Sequence, residues 1–133
     1  MTDQPAKTTV LVVEDDPLFR RALIHRLTTA GYGVISAQNG REALDWLNNP
    51  VQPPHVVVLD ILMPIYSGLD VLARIRALPH KVPVILMSHA DKQIARQAVA
   101  EAHPDAFLEK PFSMDELLTL ISQLLPATPG LSR

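Results

Sequence analysis

The sequence predicts an α/β fold in which a five-stranded parallel sheet is covered by helices on both faces. Five short runs of Val, Ile and Leu are each bounded by Pro, Gly, Asn or Asp. The runs VLVV, VVVL and VILM do not alternate with polar residues, which is typical of strands buried on both faces. A helical pattern follows each run, so strand and helix alternate five times along the chain.

The predicted strands are short and end at turn-forming or charged residues. Right-handed crossovers leave only a few topologies, and a doubly wound open sheet suits five such units in a chain of this length. The predicted strands span residues 9–13, 33–37, 55–60, 82–88 and 105–109.

The first helix is predicted at 17–30. Asp16 precedes it as the N-cap, Pro17 occupies its first position and Gly31 follows its end. Its apolar stripe is predicted to consist of Phe19, Ala22, Leu23 and Leu27.

The remaining helices are predicted from apolar residues at helical spacing. The last one opens with SMDE, a capping box in which Ser113 and Glu116 satisfy each other's backbone amides. We expect Trp46 to be a partly buried packing residue. These helices are predicted at 40–48, 67–78, 91–102 and 113–125.

Composition limits the class of protein. The chain has 133 residues, 47% of them hydrophobic, which predicts one globular domain with enough apolar residues to fill a core. The domain is predicted at 9–125, with tails at 1–8 and 126–133, the latter a C-terminal tail or the start of a linker. There is no cysteine, which excludes disulfides and thiolate metal sites, and the net charge of -2 gives no reason to expect binding to nucleic acid or a membrane. The polar start lacks a signal peptide and no run is long enough to span a bilayer, so we expect a cytoplasmic protein.

Polar residues follow the apolar runs, at the predicted carboxyl ends of the strands. In a doubly wound sheet, ligands bind at this edge where the strand order reverses. If the order is 2-1-3-4-5, the acids after the first and third strands meet, and a lysine and a serine lie beside them. The residues concerned are Glu14, Asp15, Asp16, Asp60, Ser88, Glu109 and Lys110.

This combination of residues suits phosphoryl chemistry. Several carboxylates in a small hollow favour Mg²⁺, which prefers a few carboxylates together with water and phosphate oxygens. The carboxylate of Asp60 needs no general base to act as a nucleophile, and its attack on a phosphoryl group would give an acyl phosphate. Mg²⁺ and Lys110 could neutralise the phosphoryl oxygens, while the Ser88 hydroxyl donates to one of them.

Two other functions share parts of this pattern. A flavin-binding electron carrier would need a loop rich in Gly, Ser and Thr after the first strand, whereas EDDP would repel the flavin phosphate. A magnesium-dependent phosphatase with an aspartate nucleophile would usually carry a second aspartate two residues later, where this chain has Leu62.

Four motifs in order, VLVVEDDP, VVVLDILMPIYSG, VPVILMS and FLEKPF, resemble the receiver domain of bacterial two-component response regulators. The resemblance covers almost the whole chain. It implies a flavodoxin-like sheet of order 2-1-3-4-5, as in the chemotaxis-regulator-like members of the family.

The resemblance also implies a role for each acid. Asp60 would be the phosphoacceptor. Glu14 and Asp15 would bind Mg²⁺ together with Asp60 and the backbone carbonyl of Leu62, whereas Asp16 would cap the first helix. Glu14 stands where the family commonly has aspartate, and the longer side chain favours a water-mediated metal contact.

The other motif residues would act on the phosphoryl group or respond to it. Lys110 would contact the phosphoryl oxygens, and Pro111 would follow it through a cis peptide bond that aims the lysine. Ser88 would be the switch hydroxyl and Phe107 the switch aromatic. His89 departs from the family, which usually has alanine or glycine there, and its ring could narrow access to the site.

The implied function is a phosphorylation-controlled signalling switch without turnover of an external substrate. Its partners would be a sensor histidine kinase or a histidine phosphotransfer protein, for which Leu18 and Ile24 on the first helix are candidate contacts, and a downstream protein target. The output surface, and a homodimer, would use the segments 91–102, 105–109 and 113–125. The alternatives are a receiver that no longer accepts phosphate and acts only in protein interaction, or the receiver portion of a longer hybrid kinase or transcription regulator.

Overall fold

The computed structural model describes residues 7–48, 53–63, 66–79, 81–89, 97, 100–101 and 103–125. The strands are β1 (Thr9–Val13), β2 (Gly33–Ala37), β3 (Val56–Asp60), β4 (Val84–Ser88) and β5 (Ala106–Glu109). The helices are α1 (Pro17–Thr29), α2 (Gly40–Leu47), α3 (Gly68–Arg76) and α4 (Met114–Leu124). Residues 97, 100 and 101 are also helical, within the helix predicted at 91–102, whose other residues lie outside those described.

The five strands form one parallel sheet in the order β2-β1-β3-β4-β5, which confirms the predicted doubly wound fold. Val13 pairs with Leu59, and Asp60 pairs with Met87. This register places the carboxyl ends of β1, β3 and β4 at the same edge of the sheet. Whatever follows these strands therefore converges at that edge.

Alternate residues of each strand point to opposite faces, so the sheet has a separate apolar core on each side. On one side, Leu11, Val57 and Leu86 pack with residues of α2 and α3, such as Ala43 and Leu72. The opposite core is formed by strand and helix residues including Val12, Val58, Ile85, Leu23 of α1 and Leu117 of α4. The uninterrupted apolar runs in the sequence are explained by this burial on both faces.

The helix boundaries follow the predicted capping residues. The Asp16 side chain accepts a hydrogen bond from the backbone amide of Leu18 at 3.0 Å, at the start of α1. Ser113 and Glu116 form the predicted capping box of α4. After α1, Gly31 adopts a φ of 101°, a left-handed conformation that favours glycine.

Three strands begin later than the sequence predicts. β3 begins at Val56 and not at residue 55, because the amide of Thr9 on β1 donates to Nδ1 of the His55 side chain, at 3.0 Å, and not to a backbone carbonyl. β4 begins at Val84 and not at residue 82, because Pro83 has no backbone N–H to contribute to the ladder. β5 begins at Ala106, because the Asp105 side chain instead accepts a hydrogen bond from the Val84 amide at 2.7 Å.

One packing prediction is wrong. Ala22 is exposed and does not belong to the buried stripe of α1, which centres on Leu23 and Leu27. Trp46 is partly buried, as predicted, and keeps 40% of its surface exposed because the buried face of α2 is formed by Gly40, Ala43 and Leu47. Among the described residues, no helix has the length and apolar character needed to cross a bilayer. The predicted tail at 126–133 and most of the tail at 1–8 lie outside the described residues.

Candidate functional site

Four polar side chains are buried at the carboxyl edge of the sheet. Glu14 follows β1, and Asp60 is the last residue of β3. Ser88 is the last residue of β4, and Lys110 follows β5. They are at most 8% exposed, and within the described part of the chain they are the buried polar or charged residues. A buried charge is costly unless it is paired, so their convergence needs compensating contacts.

The sheet ladder continues past the strand ends and holds two of these residues by their backbones. The amide of Glu14 donates to the carbonyl of Ala37 at 3.1 Å. The amide of Lys110 donates to the carbonyl of Ser88 at 2.8 Å. The backbones of Glu14 and Lys110 are therefore held by hydrogen bonds that extend the sheet.

Lys110 joins the acids of two strands. Its Nζ lies 2.7 Å from Oε1 of Glu14 and 3.0 Å from Oδ2 of Asp60. The second oxygen of Glu14 accepts from the Asp16 amide at 3.1 Å, and the second oxygen of Asp60 accepts from the Leu62 amide at 3.1 Å. Each carboxylate thus accepts one hydrogen bond from an ammonium group and one from the backbone, which holds both in defined orientations.

Burial sets the electrostatics of this group. It raises the pKa of Glu14 from its ordinary 4.5 to about 7, although the hydrogen bonds from Lys110 and Asp16 act in the opposite direction. Burial lowers the pKa of Lys110, but the hydrogen bonds to Glu14 and Asp60 outweigh this, and the pKa lies above its ordinary value. Lys110 therefore stays charged at neutral pH. Any further positive charge in the site favours the ionised form of the Glu14 carboxylate.

A third carboxylate completes an acidic cluster. Asp15 is exposed, and one carboxylate oxygen from each of Glu14, Asp15 and Asp60 lies within 4.8 Å of the others. Oxygen donors of this kind and number suit Mg²⁺, which binds through a few carboxylates and keeps several waters. The exposure of Asp15 leaves room for such waters on the solvent side.

Arg20 fixes the backbone that carries two of the acids. Its Nη1 donates to the carbonyl of Glu14 at 2.8 Å and to the carbonyl of Asp15 at 3.4 Å. The guanidinium group therefore links the first turn of α1 to the acidic loop and adds positive charge beside it. The sequence analysis missed this residue; its place six residues after Glu14, on a helix that starts at the loop, is the signal that could have identified it.

The structure places the other predicted residues as follows. Ser88 is fully buried beside the end of β5, and Phe107 is half-buried against the core formed with α2 and α3. The bond between Lys110 and Pro111 is cis. His89 is exposed. The roles assigned to these side chains remain predictions.

Two further residues at the site were not predicted. The ring centroid of Phe19 lies 4.5 Å from Lys110 Nζ. Gly68, the first residue of α3, packs against the backbone of Asp60 and Ile61, and its amide donates to the Ile61 carbonyl at 2.7 Å. Neither contact has a local sequence signal, because each joins segments that only the folded chain brings together.

Comparison with known proteins identifies the family. The family model described as the response regulator receiver domain matches residues 10–122. This chain belongs to the response regulator receiver family. The receiver domain is 39% identical over 119 residues to the response regulator MprA of Mycolicibacterium vanbaalenii, and 36% identical over the same length to MprA of Mycobacterium avium. Both alignments cover 90% of this chain but 51% of the relative, so the chain spans about half the length of these curated relatives.

Solved structures agree with this assignment. The response regulator protein TrrA from Thermotoga maritima, in complex with Mg²⁺-BeF, is 32% identical and has a TM-score of 0.78, covering 89% of this chain and 99% of that chain. The signal receiver domain of a signal transduction histidine kinase from Syntrophus aciditrophicus is 28% identical, with a TM-score of 0.83 and coverage of 96% and 98%. The receiver domain is thus similar to receivers from both response regulators and kinases.

Proposed function

We propose that this receiver domain is a phosphoacceptor switch that takes a phosphoryl group onto Asp60 from a phosphohistidine donor. The observation that carries the proposal is the arrangement around Asp60, where Lys110 Nζ lies 3.0 Å from the carboxylate and two further acids complete a cluster. Among the residues that the structure describes, one ammonium group contacts this cluster of three carboxylates, through Glu14 and Asp60. The remaining negative charge favours a divalent cation.

The transfer needs little covalent chemistry from the protein. An oxygen of Asp60 attacks the phosphorus, the phosphorus–nitrogen bond of the donor breaks, and the electron pair leaves with the imidazole, which takes up a proton from solvent. The product is an acyl phosphate on Asp60. Lys110 lies close enough to contact the incoming phosphoryl oxygens, and Ser88 is the proposed hydroxyl donor to one of them.

Mg²⁺ is the proposed cofactor. Glu14, Asp15 and Asp60 would hold it, with the backbone carbonyl of Leu62 as a further ligand. When bound, it neutralises charge on the phosphoryl oxygens. The carboxylates fit this role because their ligand atoms already lie within 4.8 Å of one another.

The proposed output is a change of conformation and not a released product. Phosphate on Asp60 would draw the Ser88 hydroxyl towards it and bias Phe107 towards an inward position. The partners are then a sensor histidine kinase or histidine phosphotransfer protein upstream and a protein target downstream. The surface formed by β5, α4 and the helical segment around residue 100 would carry the output, and a homodimer through this surface is one form it could take.

Two alternatives remain for the protein as a whole. A receiver that no longer accepts phosphate would act only through protein contacts, and the complete set of acids with Lys110 argues against it. The chain could also be the receiver portion of a longer hybrid kinase or transcription regulator. The similar proteins include response regulators and the receiver domain of a histidine kinase, so they do not distinguish a hybrid kinase from a transcription regulator.

Intact-protein mass spectrometry tests the proposal. The protein is incubated with acetyl phosphate in the presence of Mg²⁺ or of EDTA. We expect the gain of one phosphoryl mass with Mg²⁺ only, and its loss in Asp60→Asn. Asp45→Asn, at an exposed aspartate of α2, is the matched control and should still gain the mass. If neither acetyl phosphate nor a phosphohistidine donor modifies the wild-type protein, the proposal fails and the interaction-only alternative is favoured.

A further inference from the structure

Lys110 has a third contact besides its two carboxylates. The ring centroid of Phe19, in the first turns of α1, lies 4.5 Å from the ammonium nitrogen. A cation within about 6 Å of a ring centroid is attracted by the negative face of the ring, most strongly when water is excluded. Lys110 is only 8% exposed, so the contact is of this desolvated kind.

The Phe19 ring is itself fixed. Its centroid lies 5.7 Å from that of Phe112, with an interplanar angle of 77°, which is an edge-to-face arrangement. Phe112 is half-buried and follows Lys110 by two residues. The segment after β5 therefore contacts one ring of α1 through both the ammonium group and an aromatic side chain.

We infer that Phe19 is a positioning residue that holds the Lys110 ammonium group beside Asp60 for phosphoryl transfer. This inference rests on the proposed function. To contact an incoming phosphoryl group, Lys110 must exchange part of its hydrogen bonding to Glu14 and Asp60, whereas the Phe19 ring can stay where it is. A lysine has four rotatable side-chain bonds, so a fixed support that persists through the exchange lowers the entropy lost in the transition state.

Graded fluorination of the ring tests this role. Phenylalanine carrying one, two or three fluorines is incorporated at position 19, which weakens the attraction for a cation while nearly keeping the ring's shape. We expect the rate of Mg²⁺-dependent phosphorylation by acetyl phosphate to fall stepwise, by about three- to tenfold for the trifluorinated ring. The same analogues at Phe112 are the matched control, because they perturb the contact between the two rings but not the contact with Lys110.

A second measurement does not depend on phosphorylation. In the metal-free protein, the ring should shift the NMR resonances of the Lys110 ε-methylene group, and Phe19→Leu should remove that shift. An unchanged Lys110 resonance in folded Phe19→Leu would refute the contact, and equal rate losses from fluorination at 19 and 112 would reduce Phe19 to a packing residue. If the wild-type protein, with ordinary phenylalanine at position 19, cannot be phosphorylated, the proposed function is refuted instead. The NMR resonance of the Lys110 ε-methylene group would still report the contact with Phe19 in that case.

Discussion

Replacing Gly68 with alanine should destabilise the receiver domain by about 2 kcal/mol. An added Cβ would lie 2.7 Å from the Ile61 Cα and 2.9 Å from the Asp60 carbonyl carbon, and closer still to the Asp60 carbonyl oxygen. Ordinary contact begins at 3.4 Å, so the backbone must move by about 0.7 Å even at the Ile61 Cα. Overpacking costs about 1–3 kcal/mol, and the upper end applies because backbone atoms cannot rotate away as the end of a flexible side chain can. Alanine also lowers the conformational entropy of the unfolded chain, which favours the folded state and offsets about 0.4–1 kcal/mol of this cost.

Urea unfolding followed by far-UV circular dichroism measures the effect. The matched control is Gly33→Ala, because the atoms nearest its added Cβ lie at 3.5 Å or more, and it should leave the unfolding free energy unchanged or raise it by up to about 1 kcal/mol. The displaced backbone carries Asp60, so Gly68→Ala should also weaken Mg²⁺ binding. A Gly68→Ala protein as stable as the wild type would show that α3 does not pack closely on the end of β3, and would refute the reasoning.

The remaining predictions concern the acids and the histidine at the site. The pKa of Glu14 is raised to about 7 in the folded chain, so its contribution to stability is present below about pH 4.5 and is lost as the pH rises through 7. In EDTA, the free energy of unfolding of the wild type should therefore fall by about 1–3 kcal/mol relative to that of Glu14→Gln between about pH 5 and about pH 8, measured by urea unfolding. Parallel pH profiles of the two proteins would contradict this. Asp15→Asn should weaken Mg²⁺ binding about tenfold by calorimetry, and should change the unfolding free energy by less than about 0.5 kcal/mol because Asp15 is exposed. His89→Ala should accelerate phosphorylation by acetyl phosphate a few-fold, since it removes a ring next to Ser88; an unchanged rate would show that His89 does not restrict access.

The apolar runs predicted a parallel sheet, because strands buried on both faces lack alternating polar residues, whereas the order 2-1-3-4-5 was implied by the resemblance to receiver domains. The ends of those runs showed which polar residues follow each strand, and with that order the convergence of Glu14, Asp60 and Lys110 was expected. The error at Ala22 lies where the rotation of a helix about its axis decides which residues are buried. Ala22 is at the edge of the predicted stripe, and a small side chain there is tolerated at an exposed position.

Contacts between distant side chains could not be predicted from the sequence. The meeting of Phe19 with Lys110 depends on how α1 and the segment after β5 pack on the same face of the sheet, and that packing angle has no local signature. The close approach of Gly68 to Asp60 likewise depends on the path of the chain between β3 and α3. The motifs and the implied strand order therefore predict which chemical groups meet, and packing decides which residues support them.

Chemical trapping of the modified residue tests the central claim most directly. After incubation with acetyl phosphate and Mg²⁺, borohydride reduction converts an aspartyl phosphate to homoserine, which peptide mass mapping then locates. We predict homoserine at position 60 and at no other aspartate. Homoserine at position 15 would contradict the account. So would the absence of homoserine when the same phosphodonor modifies another receiver domain in the same experiment.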